Sequence, residues 1–254
     1  MESFSKVYYS PSGSTKQILD LFEAEFCKAD NEYDLLVNPL VSEVEFCSKD
    51  CVIVGVPVFF GRVPQECLES LKKLNGNSAK AIPVVVYGNR DYDDALLELE
   101  NILKERNFRV VAAGAFIARH SIFPDVASGR PDEKDKEIIK DFAIKIDEKI
   151  KKKDYVRVDV KGKFPYKDYG RVQMYPKTAK GCTGCSACAE ICPVSAIEIV
   201  KGIAKTKENE CIVCTACIRI CPLNLRKFTG VKYAGAAKAF GIKCRPRKEP
   251  EVFL

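Results

Sequence analysis

The first 150 residues alternate short apolar runs with longer amphipathic ones. KVYYS (6–10), YDLLV (33–37), CVIVGV (51–56), AIPVVVYG (81–88) and RVVAAGAFIA (109–118) read as five strands, rich in β-branched and aromatic residues. Apolar positions recur at helical spacing over roughly 15–28, 64–74, 91–106 and 132–152. Strands that are apolar along their whole length, separated by helices, predict an α/β fold. Its sheet is doubly wound, five-stranded and parallel, and helices cover both faces. Ligands of such sheets bind beyond the carboxyl ends of the strands, where the strand order reverses. The loops after strands one, three, four and five are therefore the candidate site.

The pattern stops after residue 153. KKKDYVRVDVKGKFPYKDYGRVQMYP (151–176) is polar, charged and irregular, which predicts a connector. The expected segments are a sheet domain at 1–153, a connector at 154–176, a cysteine-rich module at 177–225 and a tail at 226–254. Charge divides the same way. Residues 1–153 carry 22 Lys+Arg against 26 Asp+Glu, and residues 154–254 carry 19 against 9. The basic half has no nucleic-acid motif beside its charge, so its lysines read as a solvated face that docks an acidic redox partner. No apolar run approaches the roughly 20 residues of a membrane span. The start, MESFSKVYYSPSG, lacks the basic opening and apolar core of a secretory signal, so a cytoplasmic location is expected.

Of 13 cysteines, eight fall in two runs of one spacing, CTGCSACAEICP (182–193) and CIVCTACIRICP (211–222). Zinc sites use paired C-x2-C motifs with a longer gap, and three cysteines plus a fourth before proline fit that poorly. A [4Fe–4S] cube needs four thiolates, three of which one C-x2-C-x2-C loop supplies. The runs resemble those of bacterial-type two-cluster ferredoxins, whose small α+β domain this module is expected to share. There, the fourth cysteine of each run ligates the other cluster. The resemblance implies Cys182, Cys185, Cys188 and Cys221 for one cluster, and Cys211, Cys214, Cys217 and Cys192 for the other. The small Thr183, Gly184, Ser186, Ala187, Thr215 and Ala216 let backbone N–H groups approach the sulfurs. Cys27, Cys47, Cys51, Cys67 and Cys244 read as ordinary thiols, mostly in a core.

SPSGST (10–15) follows the first strand and leads into a helix, an arrangement that presents hydroxyls, free N–H groups and a positive dipole end to a phosphate. No lysine stands where an ATP or GTP loop needs it, and no G-x-G-x-x-G fingerprint of a dinucleotide occurs. The loop resembles the phosphate loop of flavodoxins, with Ser12 for a central threonine. GVPVFFGRVPQ (55–65) and YGNRDYDDAL (87–96) match the two loops that hold the isoalloxazine ring there. The resemblance implies FMN bound by Ser10, Ser12, Gly13, Ser14, Thr15, Pro57, Val58, Phe59, Phe60, Gly61, Gly88, Asn89, Arg90, Tyr92 and Asp93. His120, the single histidine, follows strand five and is a candidate for the flavin or substrate edge. Arg90 and Arg119 are candidates for charge balance.

From SPSGST through YPKTA to the RPRKEP tail, the chain resembles the flavodoxin–ferredoxin fusion proteins of anaerobic microbes. That resemblance implies FMN, two [4Fe–4S] clusters and an electron-transfer flavoprotein linking ferredoxin-like carriers to a further redox protein. Two other readings stay open. One is a flavoenzyme that reduces a small molecule at the flavin with the ferredoxin module as built-in donor. The other is a redox-sensing or interaction module. The connector's length permits electron exchange within one chain or across a homodimer.

Overall fold

The computed structural model describes residues 4–254. A central sheet is built from β1 (Ser5–Tyr8), β2 (Asn31–Asp34), β3 (Cys51–Pro57), β4 (Lys80–Tyr87) and β5 (Ala113–Ile117). The order is β2-β1-β3-β4-β5, all parallel, with Arg109–Val110 pairing β4 just ahead of β5. This is the doubly wound order whose reversal lies between β1 and β3. The expected second strand begins and ends two to three residues earlier than its apolar run, because Leu35 and Leu36 turn inward as buried core beyond Asp34.

The helices are α1 (Ser14–Glu25), α2 (Gln65–Leu71), α3 (Ala95–Glu105) and α4 (Glu133–Lys152). α1 and α4 cover one face through Ile18, Leu19, Phe22, Ile139, Phe142 and Ile146. α2 and α3 cover the other through Cys67, Leu71, Leu96, Leu99 and Leu103. α4 starts with a reciprocal capping box between Asp132 and Asp135.

Residues 154–176 form no helix and, as expected, no strand, yet they are pinned. Asp94, just ahead of α3, accepts the amides of Lys163 (2.9 Å) and Lys167 (2.8 Å). Arg62, paired with Glu98 at 2.7 Å, lies over the rings of Tyr166 and Tyr169. The cysteine module follows, with single-turn helices α5 (Ala187–Glu190) and α6 (Ala216–Arg219). An antiparallel hairpin, Ile197–Val200 with Ile203–Thr206, separates the runs, and Lys177–Thr178 pairs with Arg226–Lys227.

The tail, whose role the sequence left unread, is structural. α7 (Val231–Lys243) packs Tyr233 and Phe240 on Phe123, and β6 (Glu251–Phe253) adds an antiparallel edge strand to β5. The sheet is thus mixed at one edge rather than wholly parallel. Among the described residues no helix is long and apolar enough to cross a membrane.

Phe22 anchors the α1–α4 layer. It is fully buried and meets the rings of Phe116 (5.5 Å) and Phe142 (6.0 Å) edge-on. Phe22→Ala is expected to destabilise the sheet domain by about 3–5 kcal/mol in urea unfolding followed by circular dichroism.

Candidate redox site

The eight run cysteines surround two hollows. Cys182, Cys185, Cys188 and Cys221 line one, and Cys192, Cys211, Cys214 and Cys217 line the other. Each hollow therefore takes three cysteines of one run and the last of the other, the crossed sets that the ferredoxin resemblance implied. Left-handed backbone at Ser186 (φ 66°) and Thr215 (φ 69°) turns each run into its one-turn helix. Among the described residues, no three His, Cys, Asp or Glu side chains converge on a point that a single ion could occupy. Thiols spread around a hollow suit a cube better than one ion. Burial pushes the thiols of Cys188, Cys211 and Cys217 up, and the nearby Arg226 charge opposes it at each. Of the remaining cysteines, Cys51, Cys67 and Cys244 are buried, Cys27 is half-buried and Cys47 is exposed.

A cleft of about 380 Å³ opens at the carboxyl ends of β1, β3, β4 and β5. That volume is within the range of small-molecule and cofactor sites. Of the sequence candidates, Ser12, Ser14, Thr15, Pro57, Val58, Phe59, Phe60, Gly61, Gly88, Arg90, Arg119 and His120 line it. In the loop before α1, Gly13 takes a left-handed φ of 89°, the Ser12 and Ser14 hydroxyls lie 3.3 Å apart, and the glycine at the start of α1 supplies no side-chain cap. The hydroxyl of Thr15 is buried on the cleft wall without a partner among the described residues. A phosphate oxygen meets that need, so the residues present fit FMN.

Four candidates sit elsewhere, and Gly13 supplies only backbone shape. Ser10 is buried and accepts the Lys16 amide at 3.0 Å, holding the loop from beneath. The side-chain amide of Asn89 donates to the carbonyls of Cys244 (2.7 Å) and Pro246 (2.9 Å), clasping the tail. Tyr92 is buried against Tyr87 and donates to Glu251 of β6 at 2.9 Å. Asp93 pairs with Arg90 and, at 3.1 Å, Lys167. The tail and connector claim Asn89, Tyr92 and Asp93, a demand invisible in the loop sequence itself.

His120 is packed between Phe123 and Phe240, whose ring meets it edge-on at 4.8 Å. Its Nδ1 accepts the amides of Ile122 (3.2 Å) and Phe123 (3.1 Å), which leaves the proton on Nε2. Burial, with some repulsion from Arg90, lowers its pKa to about 4. The ring lies directly on Gly88, where an added Cβ would stand 2.5 Å from His120 Cδ2, so only glycine admits it.

The residues that sequence reasoning missed are those roofing the cleft: Ile212 and Val213 of the second cysteine run, Phe240 of α7, and Gly170 and Val172 of the connector. Ile212 and Val213 also line the hollow of Cys192, Cys211, Cys214 and Cys217. Cys214 and Ala216 pack into the same apolar core as the α2–α3 face of the sheet. Arg219, in α6, donates to the carbonyl of Pro11 at 2.8 Å. The second run is thus docked on the loop before α1. A small-residue turn beside an apolar pair was the only available signal.

Residues 181–225 match the family model described as the 4Fe-4S dicluster domain. No curated protein sequence matches the chain. Among solved structures, a flavodoxin of Streptococcus pneumoniae TIGR4 is similar over 58% of this chain and 99% of its own, at 15% identity and a TM-score of 0.40. A Fusobacterium nucleatum flavodoxin variant bound to flavin mononucleotide is similar over 59% of this chain and 97% of its own, at 14% identity and a TM-score of 0.41. The rubredoxin oxygen:oxidoreductase of Desulfovibrio gigas is similar over 60% of this chain and 37% of its own, at 17% identity and a TM-score of 0.41. These likenesses are distant, and the strand order carries the fold assignment. The chain joins a doubly wound α/β domain of flavodoxin-like strand order to a segment, residues 181–225, that matches the 4Fe–4S dicluster domain.

Proposed function

We propose that the protein is an electron-transfer flavoprotein in which two [4Fe–4S] clusters exchange electrons with FMN inside one chain. One observation carries the reading. A single layer, Ile212 and Val213, is both the wall of the cleft and the wall of the second cysteine hollow. Phe59 and Phe60 share a further hollow with Cys211. The first hollow shares no lining residue with the cleft, and its Cys185 is exposed. That supports an order in which a redox protein docks beside Cys185, the second cluster stands between, and the flavin is last. The basic character of residues 154–254 favours an acidic docking partner.

When bound, the clusters supply one-electron carriers and FMN supplies a carrier of one or two electrons. The chain supplies position. Ser12, Ser14 and Thr15 would hold the phosphate of FMN, and the 57–61 and 88–90 loops would hold its ring. The connector and α7 exclude water from above it. Covalent linkage keeps donor and acceptor at high effective concentration, so transfer need not wait for collision.

A flavoenzyme is the second reading, favoured by one observation. A hollow of about 470 Å³ shares Ser12, Ser14, Arg119 and His120 with the cleft and adds Arg219 and Lys227. Three cations and a neutral imidazole donor suit an anionic small-molecule substrate beside the flavin. A titration with inorganic phosphate or acetate that perturbs the bound-flavin spectrum favours this reading over a plain carrier.

Protein purified without oxygen is expected to hold about eight irons, about eight acid-labile sulfides and one FMN per chain. Zinc without flavin would sink the redox reading. Stopped-flow reduction by a reduced ferredoxin is expected to bleach the flavin, at saturating donor, at a rate independent of protein concentration. A rate that rises with protein concentration would point to transfer between chains. The single histidine allows a clean proton NMR titration, in which His120 stays neutral down to a pKa near 4. Because the unfolded chain protonates near pH 6.5, the stability linked to this ring is full above 6.5 and is lost as pH falls towards 4.

A further inference from the structure

The two cysteine runs repeat each other beyond their ligands. Cys192-Pro-Val-Ser-Ala-Ile197 answers Cys221-Pro-Leu-Asn-Leu-Arg226. Each final residue caps the opposite run's hollow. Ile197, 7% exposed, lines the hollow of Cys211, Cys214, Cys217 and Cys192. Arg226, 2% exposed, lines that of Cys182, Cys185, Cys188 and Cys221. One half of the repeat therefore buries an isoleucine where the other buries a guanidinium.

Arg226 is held without a carboxylate. Its Nη1 donates to the Thr178 hydroxyl at 2.8 Å and its Nη2 to the Thr206 hydroxyl at 2.6 Å. Thr206 in turn donates to the Pro176 carbonyl at 2.6 Å, and Thr178 donates to that of Ala204, so both threonines present lone pairs to the arginine. Nη2 also reaches Cys217 Sγ at 3.6 Å, across in the second hollow. Nε is buried with no hydrogen-bond partner among the described residues. No carboxylate among the described residues pairs with it. Hydroxyls and one thiol are poor compensation for a charge this deep, and a buried cation left so is strongly destabilising unless an anion neutralises it. The anions that fit are the thiolates of the two hollows between which it stands.

We propose that Arg226 is the buried counter-charge of the cluster pair and raises the reduction potential of both clusters. This rests on the reading of the hollows as [4Fe–4S] sites. A cube with four thiolates is a net anion, and reduction adds one more negative charge. A fixed guanidinium stabilises the reduced form more than the oxidised one, and its N–H groups withdraw charge from the ligand sulfur. An isoleucine at this place, as in the first half of the repeat, does neither.

The test uses the full-length holoprotein and the variants Arg226→Ile, Arg226→Gln and Arg226→Lys. Iron and sulfide per chain are measured first, then cluster midpoint potentials by electron paramagnetic resonance at poised potentials. The two neutral variants are expected to shift both midpoints to lower potential, with Arg226→Lys between them and the wild type. Loss of clusters in both neutral variants with retention in Arg226→Lys equally supports the counter-charge. A neutral variant with full iron and wild-type midpoints overturns it, as does loss of clusters in all three, which makes the role one of packing. Wild-type protein without iron overturns the cluster reading itself, whatever the variants do.

Discussion

The docking of one turn holds the two modules in a working relation. Cys214 and Ala216 are buried in the core that α2 and α3 make with the sheet. The flanking Ile212 and Val213 wall both the second hollow and the cleft. A turn whose Cys214 and Ala216 are buried in another module's core has little freedom. Packing its outer face on the sheet transmits that rigidity to the cleft. Small residues make this possible. Thr215 and Ala216 let the backbone of the turn approach the first module closely, and Arg219 ties it to Pro11 in the loop before α1.

Two straps guard this arrangement. The connector is drawn down by Asp94, which accepts two of its amides, and by Arg62 over Tyr166 and Tyr169. The tail is clasped by Asn89, paired along β5, and fastened by Tyr92 to Glu251. Both end as walls of the cleft, through Gly170, Val172 and Phe240. A segment without helix or strand holds its place only if its backbone amides find partners, and here the Asp94 carboxylate and the Asn89 side-chain carbonyl supply some of them. The β6 strand also covers the edge of β5, which an uncapped sheet would leave open to pairing with other chains.

Charge is placed with equal economy. His120 sits neutral, its Nδ1 spent on two amides and its Nε2–H left as a donor. Arg226 sits charged, with only hydroxyls and a thiol about it. Both are costly in an empty apolar interior and become sensible when acceptors or anions occupy the spaces they line. His120 lines the cleft, and Arg226 stands between the two cysteine hollows.

The sequence by itself determined the repeating cysteine spacing, the five apolar strands and the Ser/Gly loop at the reversal of the sheet. These are local patterns, each set by residues near in the chain, and their chemistry follows from spacing. The crossed grouping of the cysteines came from resemblance, and the hollows display it. Only the tertiary structure decided that Ile212 and Val213 face the cleft, that Asn89 and Tyr92 serve the tail, and that Arg226 lies between the hollows. Each depends on contacts between segments distant in sequence, 159 residues apart for Tyr92 and Glu251 and 208 for Arg219 and Pro11. A loop residue's type shows which bonds it is able to make, whereas packing chooses the partner that takes them.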